Sequence, residues 1–195
     1  MNSYYWGEPD ASVSFCEDKY TTLPWVAEYY NTLSSLIYIV AGFVVLNEKT
    51  YHISLDLILL GIATFLFHMT IRSWAQILDE SAMILLSYDV ISDITKIRRI
   101  YVIPILTVYL WLHDYFIFFL LLFASMQIYL TKLGLEKTKG IRRKYLFLYI
   151  IFFTMGLVCW LGDQLLCGYL NKINLHYYWH NLSGLGIMFG LLAIK

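Results

Sequence analysis

An all-α fold, a bundle of seven membrane-spanning helices in a polytopic membrane protein, is predicted for this chain by three features of its sequence. Hydrophobic residues make up 59% of its 195 positions and charged residues only 14%, too oily a balance for a soluble domain of this size. Apolar runs recur seven times at lengths near the roughly 17 to 25 residues that cross a hydrocarbon core of about 30 Å. Basic residues then fall almost entirely in alternate connections, as they do in a multi-span protein with a fixed orientation.

The spans are expected near 26–46, 54–71, 76–93, 99–112, 115–131, 145–168 and 175–194. The fourth is the weakest, because Pro104 interrupts it and "LHDY" leaves only a tight turn before the fifth. Lys19, Arg72 and Lys172 lie on the N-terminal side. Lys49, Lys96, Arg98, Arg99, Lys132, Lys137, Lys139, Arg142, Arg143, Lys144 and Lys195 lie on the other. This asymmetry places the N-terminus outside or in a lumen and the C-terminus in the cytosol, and it would be lost if the fourth span were dropped. The run "TKLGLEKTKGIRRK" reads as an orientation signal beside anionic lipid. The first 24 residues are acidic and polar, which argues against a removable signal peptide. They are expected to form an extracytoplasmic segment, 1–24, ahead of a bundle over 25–195, in one domain. The 17 Tyr, 12 Phe and 6 Trp suit interfacial belts and lipid-facing surface.

Ionisable residues inside a span are costly, so their placement is informative. His68 falls about one turn before the outer end of span two, and Asp79 at a similar depth at the start of span three. His176 and His180 open span seven, with Asp163 roughly level in span six; Thr64 lies one turn deeper than His68 on the same face. The i, i+4 pair in "HYYWH" projects two imidazoles from one helix face, and a third from another helix completes a three-nitrogen site with one zinc position open for water. That is the pattern of catalytic rather than structural zinc. A single histidine near an interface is ordinarily a hydrogen-bonded or snorkelling residue, and His52 and His113 are read that way. Asp79 either joins the histidines or caps span three; Asp163 either orients a histidine from behind or pairs with Gln164. Nothing ties Asp89, Asp93 or Asp114 to the site.

The blocks "YYWGEPDASVSFCEDKY", "WVAEYYNTLSS", "FHMTIRSWAQILDE", "CWLGDQLLC" and "HYYWHNLSGLG" resemble the alkaline ceramidase family, within the seven-span superfamily that includes the progestin and adipoQ receptors. The resemblance implies an intramembrane zinc amidase acting on ceramide or a related N-acyl lipid, with zinc on His68, His176 and His180 and with Asp79 activating water at the metal. Thr64 stands where the family has serine and keeps a hydroxyl for the water or the developing oxyanion. The family also binds calcium through its N-terminal block, at positions that here are Ser14, Phe15, Glu17, Lys19 and Glu28. One acid is replaced by serine and an asparagine by lysine, which argues against calcium, since an ammonium supplies no ligand oxygen. Lys19 is instead expected to take the ion's place between Glu17 and Glu28. The family's disulfide implies a bond between Cys16 and Cys167, leaving Cys159 free. The residues leave open a hydrolase of another N-acyl lipid, and a receptor-like lipid sensor with a structural zinc site. Membrane lipids are the expected surroundings; neither nucleic acid nor an obligate protein partner is implied.

Overall fold

The computed structural model describes residues 4–48, 50–169 and 173–194. Lys49, Lys172 and Lys195, used above to orient the chain, lie outside them. Among the described residues there is no strand. Eight α-helices follow one another: α1 (Tyr29–Ser34), α2 (Leu36–Val44), α3 (Tyr51–Thr70), α4 (Ser73–Thr95), α5 (Val102–Leu112), α6 (Phe116–Lys137), α7 (Ile141–Leu166) and α8 (Leu175–Ile194), with a 3-10 turn at Arg99–Tyr101 leading into α5. Each of the seven expected intervals is therefore largely helical. Among the described residues, α3, α6 and α7 are long and apolar enough to cross a membrane.

Two boundaries have a local cause. The first interval breaks at Ser35, where the hydroxyls of Thr32, Ser34 and Ser35 donate back to the carbonyls of Glu28, Asn31 and Thr32, competing with regular helix bonding. The interruption expected at Pro104 does not occur. Pro104 is the third residue of α5, in the first turn, where a missing N–H forfeits no intrahelical bond.

Apolar side chains face outward as well as pack inside, while the strongly polar ones of the centre are buried. Ile117, Leu121 and Ile128 of α6 and Ile151, Val158 and Leu165 of α7 are exposed, whereas Glu28, His68, Asp79, Asp163, His176 and His180 are buried. Such an arrangement would aggregate in water and suits lipid. Close approach of α2 to α3 is set by glycine: a Cβ on Gly61 would stand 2.9 Å from the backbone nitrogen of Ile39. Tyr38, Ile53, Leu57, Leu60 and Leu191 then form one core among α2, α3 and α8, and Ile84, Tyr88, Tyr109 and Phe119 a second among α4, α5 and α6.

The N-terminal segment clasps the α3–α4 turn. Ile71 there takes a left-handed conformation (φ 50°), uncommon for a β-branched residue, while its side chain is buried with Val13, Ala27, Phe67 and Ala75. Asp10 accepts the N–H of Ser73 at 2.7 Å and pairs with Arg72 at 2.9 Å. Ser12 and Gln76 bond reciprocally, both at 2.7 Å. Farther on, Cys16 and Cys167 form a disulfide between this segment and the end of α7. Removing it, as Cys16→Ser with Cys167→Ser, is expected to cost about 2–4 kcal/mol. A lower Tm in detergent and faster protease cleavage within residues 4–27 would check this.

Candidate metal centre

His68, in the last turn of α3, meets His176 and His180 from the first two turns of α8. Three potential ligand atoms, one from each ring, lie within 4.8 Å of one another, and all three side chains are buried. The ring centroids are 4.9, 4.8 and 4.5 Å apart for His68–His176, His68–His180 and His176–His180.

The surroundings aim two of these rings. Glu28 Oε2 accepts from His68 Nδ1 at 2.6 Å, which puts the proton on Nδ1 and leaves Nε2 with a free lone pair. His180 Nδ1 meets Ser34 Oγ at 2.8 Å and the Asn31 carbonyl at 3.2 Å, which sets the same tautomer. Behind Glu28 stands Lys19, whose ammonium donates to Glu28 Oε1 and to the carbonyls of Phe15 (2.7 Å) and Glu17 (3.0 Å). His176 Nδ1 is buried with no protein partner, a polar atom that a bound ion's coordination would account for. Two oriented imidazoles, a third with an orphaned nitrogen and a buried carboxylate behind them are a donor set suited to a transition-metal ion of the borderline-soft kind. Phe15 closes over the group, its ring centroid 3.8 Å from that of His176.

Asp79 and Thr64 lie beside the rings on the wall of the same cavity. Asp79 is the seventh residue of α4, well inside the helix, so it does not cap it. Thr64 Oγ1 donates to Asp79 Oδ1 at 2.5 Å, joining α3 to α4 at this depth. Glu80, next in sequence, lines the same cavity and is held by Gln76 at 2.7 Å and Tyr109 at 2.8 Å.

Other residues settle differently from expectation. Asp163 reaches no imidazole and does not pair with Gln164; its carboxylate accepts the main-chain N–H of His176 (3.2 Å) and of Cys16 (3.1 Å), anchoring the start of α8 and the N-terminal segment. Gln164 donates instead to the Ser14 carbonyl. The expected bridge from Lys19 to two carboxylates forms only on the Glu28 side. The Glu17 carboxylate faces away, accepting from the backbone N–H groups of Tyr30 (2.7 Å) and Asn31 (2.9 Å) and from Asn174 Nδ2 (2.8 Å). A helix N-terminus has unmet donors, and this carboxylate supplies their acceptor. Burial pushes the Glu17 carboxyl above its ordinary pKa, while those N–H donors pull it down.

Glu28 and Ser34, which orient the ligand rings, had no such reading from sequence. Glu28 precedes His68 by 40 residues and Ser34 precedes His180 by 146, and no local pattern links such pairs.

Fold and site together define an all-α membrane protein with a buried three-histidine centre able to bind a metal. The family model described as Ceramidase matches residues 7–195, and the chain belongs to that family. It is similar to alkaline ceramidase 1 of Mus musculus, 23% identical over an alignment covering 94% of this chain and 79% of that protein. It is also similar to the putative alkaline ceramidase dcd3B of Dictyostelium discoideum, at 25% identity over 93% and 84%. With alkaline ceramidase YPC1 of Saccharomyces cerevisiae the identity is 32%, over 40% of this chain and 28% of that one.

Replacing Glu28 by Gln keeps the shape but removes the charged acceptor behind His68. Metal affinity, read with zinc as the probe by chelator competition on the purified protein, is expected to fall about 10–100-fold.

Proposed function

We propose that this chain is a zinc-dependent intramembrane amidase that hydrolyses ceramide to a sphingoid base and a fatty acid. The observation that carries the reading is the convergence, in a chain of the ceramidase family, of three buried histidines with the Thr64–Asp79 pair on one cavity wall. The relatives named above lend the substrate class. In this reading the chain is one seven-span domain, its N-terminus outside or lumenal and its C-terminus cytosolic, and the centre lies near the outer membrane face, where a ceramide amide sits.

His68, His176 and His180 would hold the zinc. When bound, zinc polarises an amide carbonyl and lowers the pKa of water towards ~7. The chain's own groups do the rest. Asp79 takes a proton from the attacking water as its oxygen adds to the carbonyl carbon, then delivers it to the nitrogen as the C–N bond breaks, so that amine and carboxylic acid leave. Thr64 holds that carboxylate in place, and its hydroxyl can turn to the developing oxyanion. Phe15 and the apolar cavity walls exclude bulk water, which strengthens these interactions.

Purified wild type is expected to release sphingoid base from long-chain ceramide and to carry zinc, while His180→Ala loses both. Asp79→Asn should keep its zinc and lose about 10²–10⁴ in kcat. Zinc binding without cleavage of ceramide or any other N-acyl lipid would exclude the amidase reading and leave a lipid sensor.

The same reading dispenses with calcium. The Lys19 ammonium takes the place of the ion among the oxygens of Phe15, Glu17 and Glu28, and tethers the N-terminal segment to the acceptor of His68. Calcium at micromolar concentration is therefore expected to leave the Tm unchanged. A calcium-dependent rise abolished by Glu17→Gln would contradict this.

A further inference from the structure

The cavity that holds Asp79 and the three histidines does not end there. It continues between α3, α4, α6, α7 and α8 as far as Ile94 and Ile194 at the opposite end of the bundle. From Asp79 to Ile94 is fifteen residues of helix, about 22 Å. Most of its deep wall is apolar, lined by Met83, Val90, Leu130, Leu146 and Ile187.

One place departs from this. Ser87 of α4, Gln127 of α6 and Tyr149 of α7 converge on the cavity from three helices. Tyr149 donates its hydroxyl to Gln127 Oε1 at 3.1 Å, Gln127 Nε2 donates to Ser87 Oγ at 2.8 Å, and Ser87 donates to the Met83 carbonyl at 2.7 Å. Ser87 and Tyr149 are 4% and 7% exposed. The bonding leaves a remainder. A glutamine amide has two N–H groups, and the phenol oxygen, which also meets the Thr131 side chain, keeps one lone pair after donating its proton, so one donor and one acceptor remain for a partner. In hydrocarbon surroundings such capacity is costly to leave unmet. A hydroxyl answers both, accepting from Gln127 and donating to Tyr149.

We propose that Ser87, Gln127 and Tyr149 form a chain-specificity subsite that recognises a hydroxyl on the acyl chain of the substrate. This rests on the reading that a lipid amide lies at the metal centre. The acyl chain starts at the carbonyl carbon that the metal centre would hold, and it is the chain assigned here to the cavity below Asp79. Ser87 follows Asp79 by eight residues, about 12 Å along α4. An extended chain advances roughly 1.2 Å per bond, so the hydroxyl is expected about ten carbons from the amide.

The test compares stearoyl-sphingosine with 10-hydroxystearoyl-sphingosine in wild type and Gln127→Leu, alongside the Tm shifts given by stearic and 10-hydroxystearic acids, which need no turnover. Wild type is expected to favour the hydroxylated amide at least about tenfold in kcat/KM, since a site built for a hydroxyl penalises its absence. The hydroxylated acid should also give the larger Tm shift. Gln127→Leu should bring both preferences to parity. A merely structural tie between helices would lower both substrates together and leave their ratio unmoved. Equal kcat/KM for the two amides, or equal Tm shifts for the two acids in wild type, overturns the subsite. If neither amide is cleaved but 10-hydroxystearic acid alone stabilises wild type and not Gln127→Leu, the subsite stands and the amidase reading falls. If Gln127→Leu fails to fold, Tyr149→Phe, which removes only a hydroxyl, is read on the same ratio.

Discussion

A fully buried carboxylate, Glu28, holds the N-terminal segment and α1 in register with the end of α3. Glu28 binds His68 through one oxygen and Lys19 and Asn31 through the pair, so one side chain joins the N-terminal segment, α1 and the end of α3. A carboxylate away from water must be paired and hydrogen-bonded or it becomes neutral. Here every neighbour contributes to that requirement. An ammonium balances its charge and an imidazole N–H fills its remaining face, and each partner is positioned by being needed. The backbone follows suit, with the N–H groups of Ala27 and Glu28 donating to the carbonyls of Met69 and His68.

The same logic extends outward from that contact. Asp163 gathers the main chain at His176 and Cys16, Glu17 gathers the starts of α1 and the loop before α8, and the Cys16–Cys167 disulfide closes the ring. Buried acids and hydroxyls thus act as staples at one end of the bundle. Toward the other end apolar packing carries more of the contact, with Leu57 and Leu191 among the residues involved, although Asp89 is also buried there and pairs with Arg99. A cavity descends from the polar end into that apolar region. The polar end has fixed donors and acceptors suited to chemistry, and the apolar end suits hydrocarbon.

Much of this was legible from the residues. Hydropathy located seven intervals that are largely helical, of which α3, α6 and α7 are long and apolar enough to cross a membrane; such a run has few alternatives to helix in lipid. The histidine pair was legible because i, i+4 spacing projects onto one face whatever surrounds it. His68, Asp79 and Thr64 could be grouped with it by depth, counted along antiparallel helices. Pro104 misled that reading, since its effect depends on where the helix begins, and a boundary is a weaker signal than a periodicity.

Contacts between segments far apart in the chain were not legible. Counting could place Asp163 level with His180, yet it could not say that the carboxylate turns to a backbone N–H and leaves the ring alone. It could place Glu17, Lys19 and Glu28 near one another, yet not that Glu17 turns toward two helix starts while Lys19 bonds Glu28. By itself the sequence determined the all-α membrane class, the positions of the helices and the residue types able to bind a metal, because these follow from composition and local period. The tertiary structure alone decided which carboxylate stands behind which imidazole, which hydroxyl meets Asp79 and where the cavity runs. Those choices are set by helix rotation and by buried polar groups competing for the same partners, neither of which is encoded in any short stretch of chain.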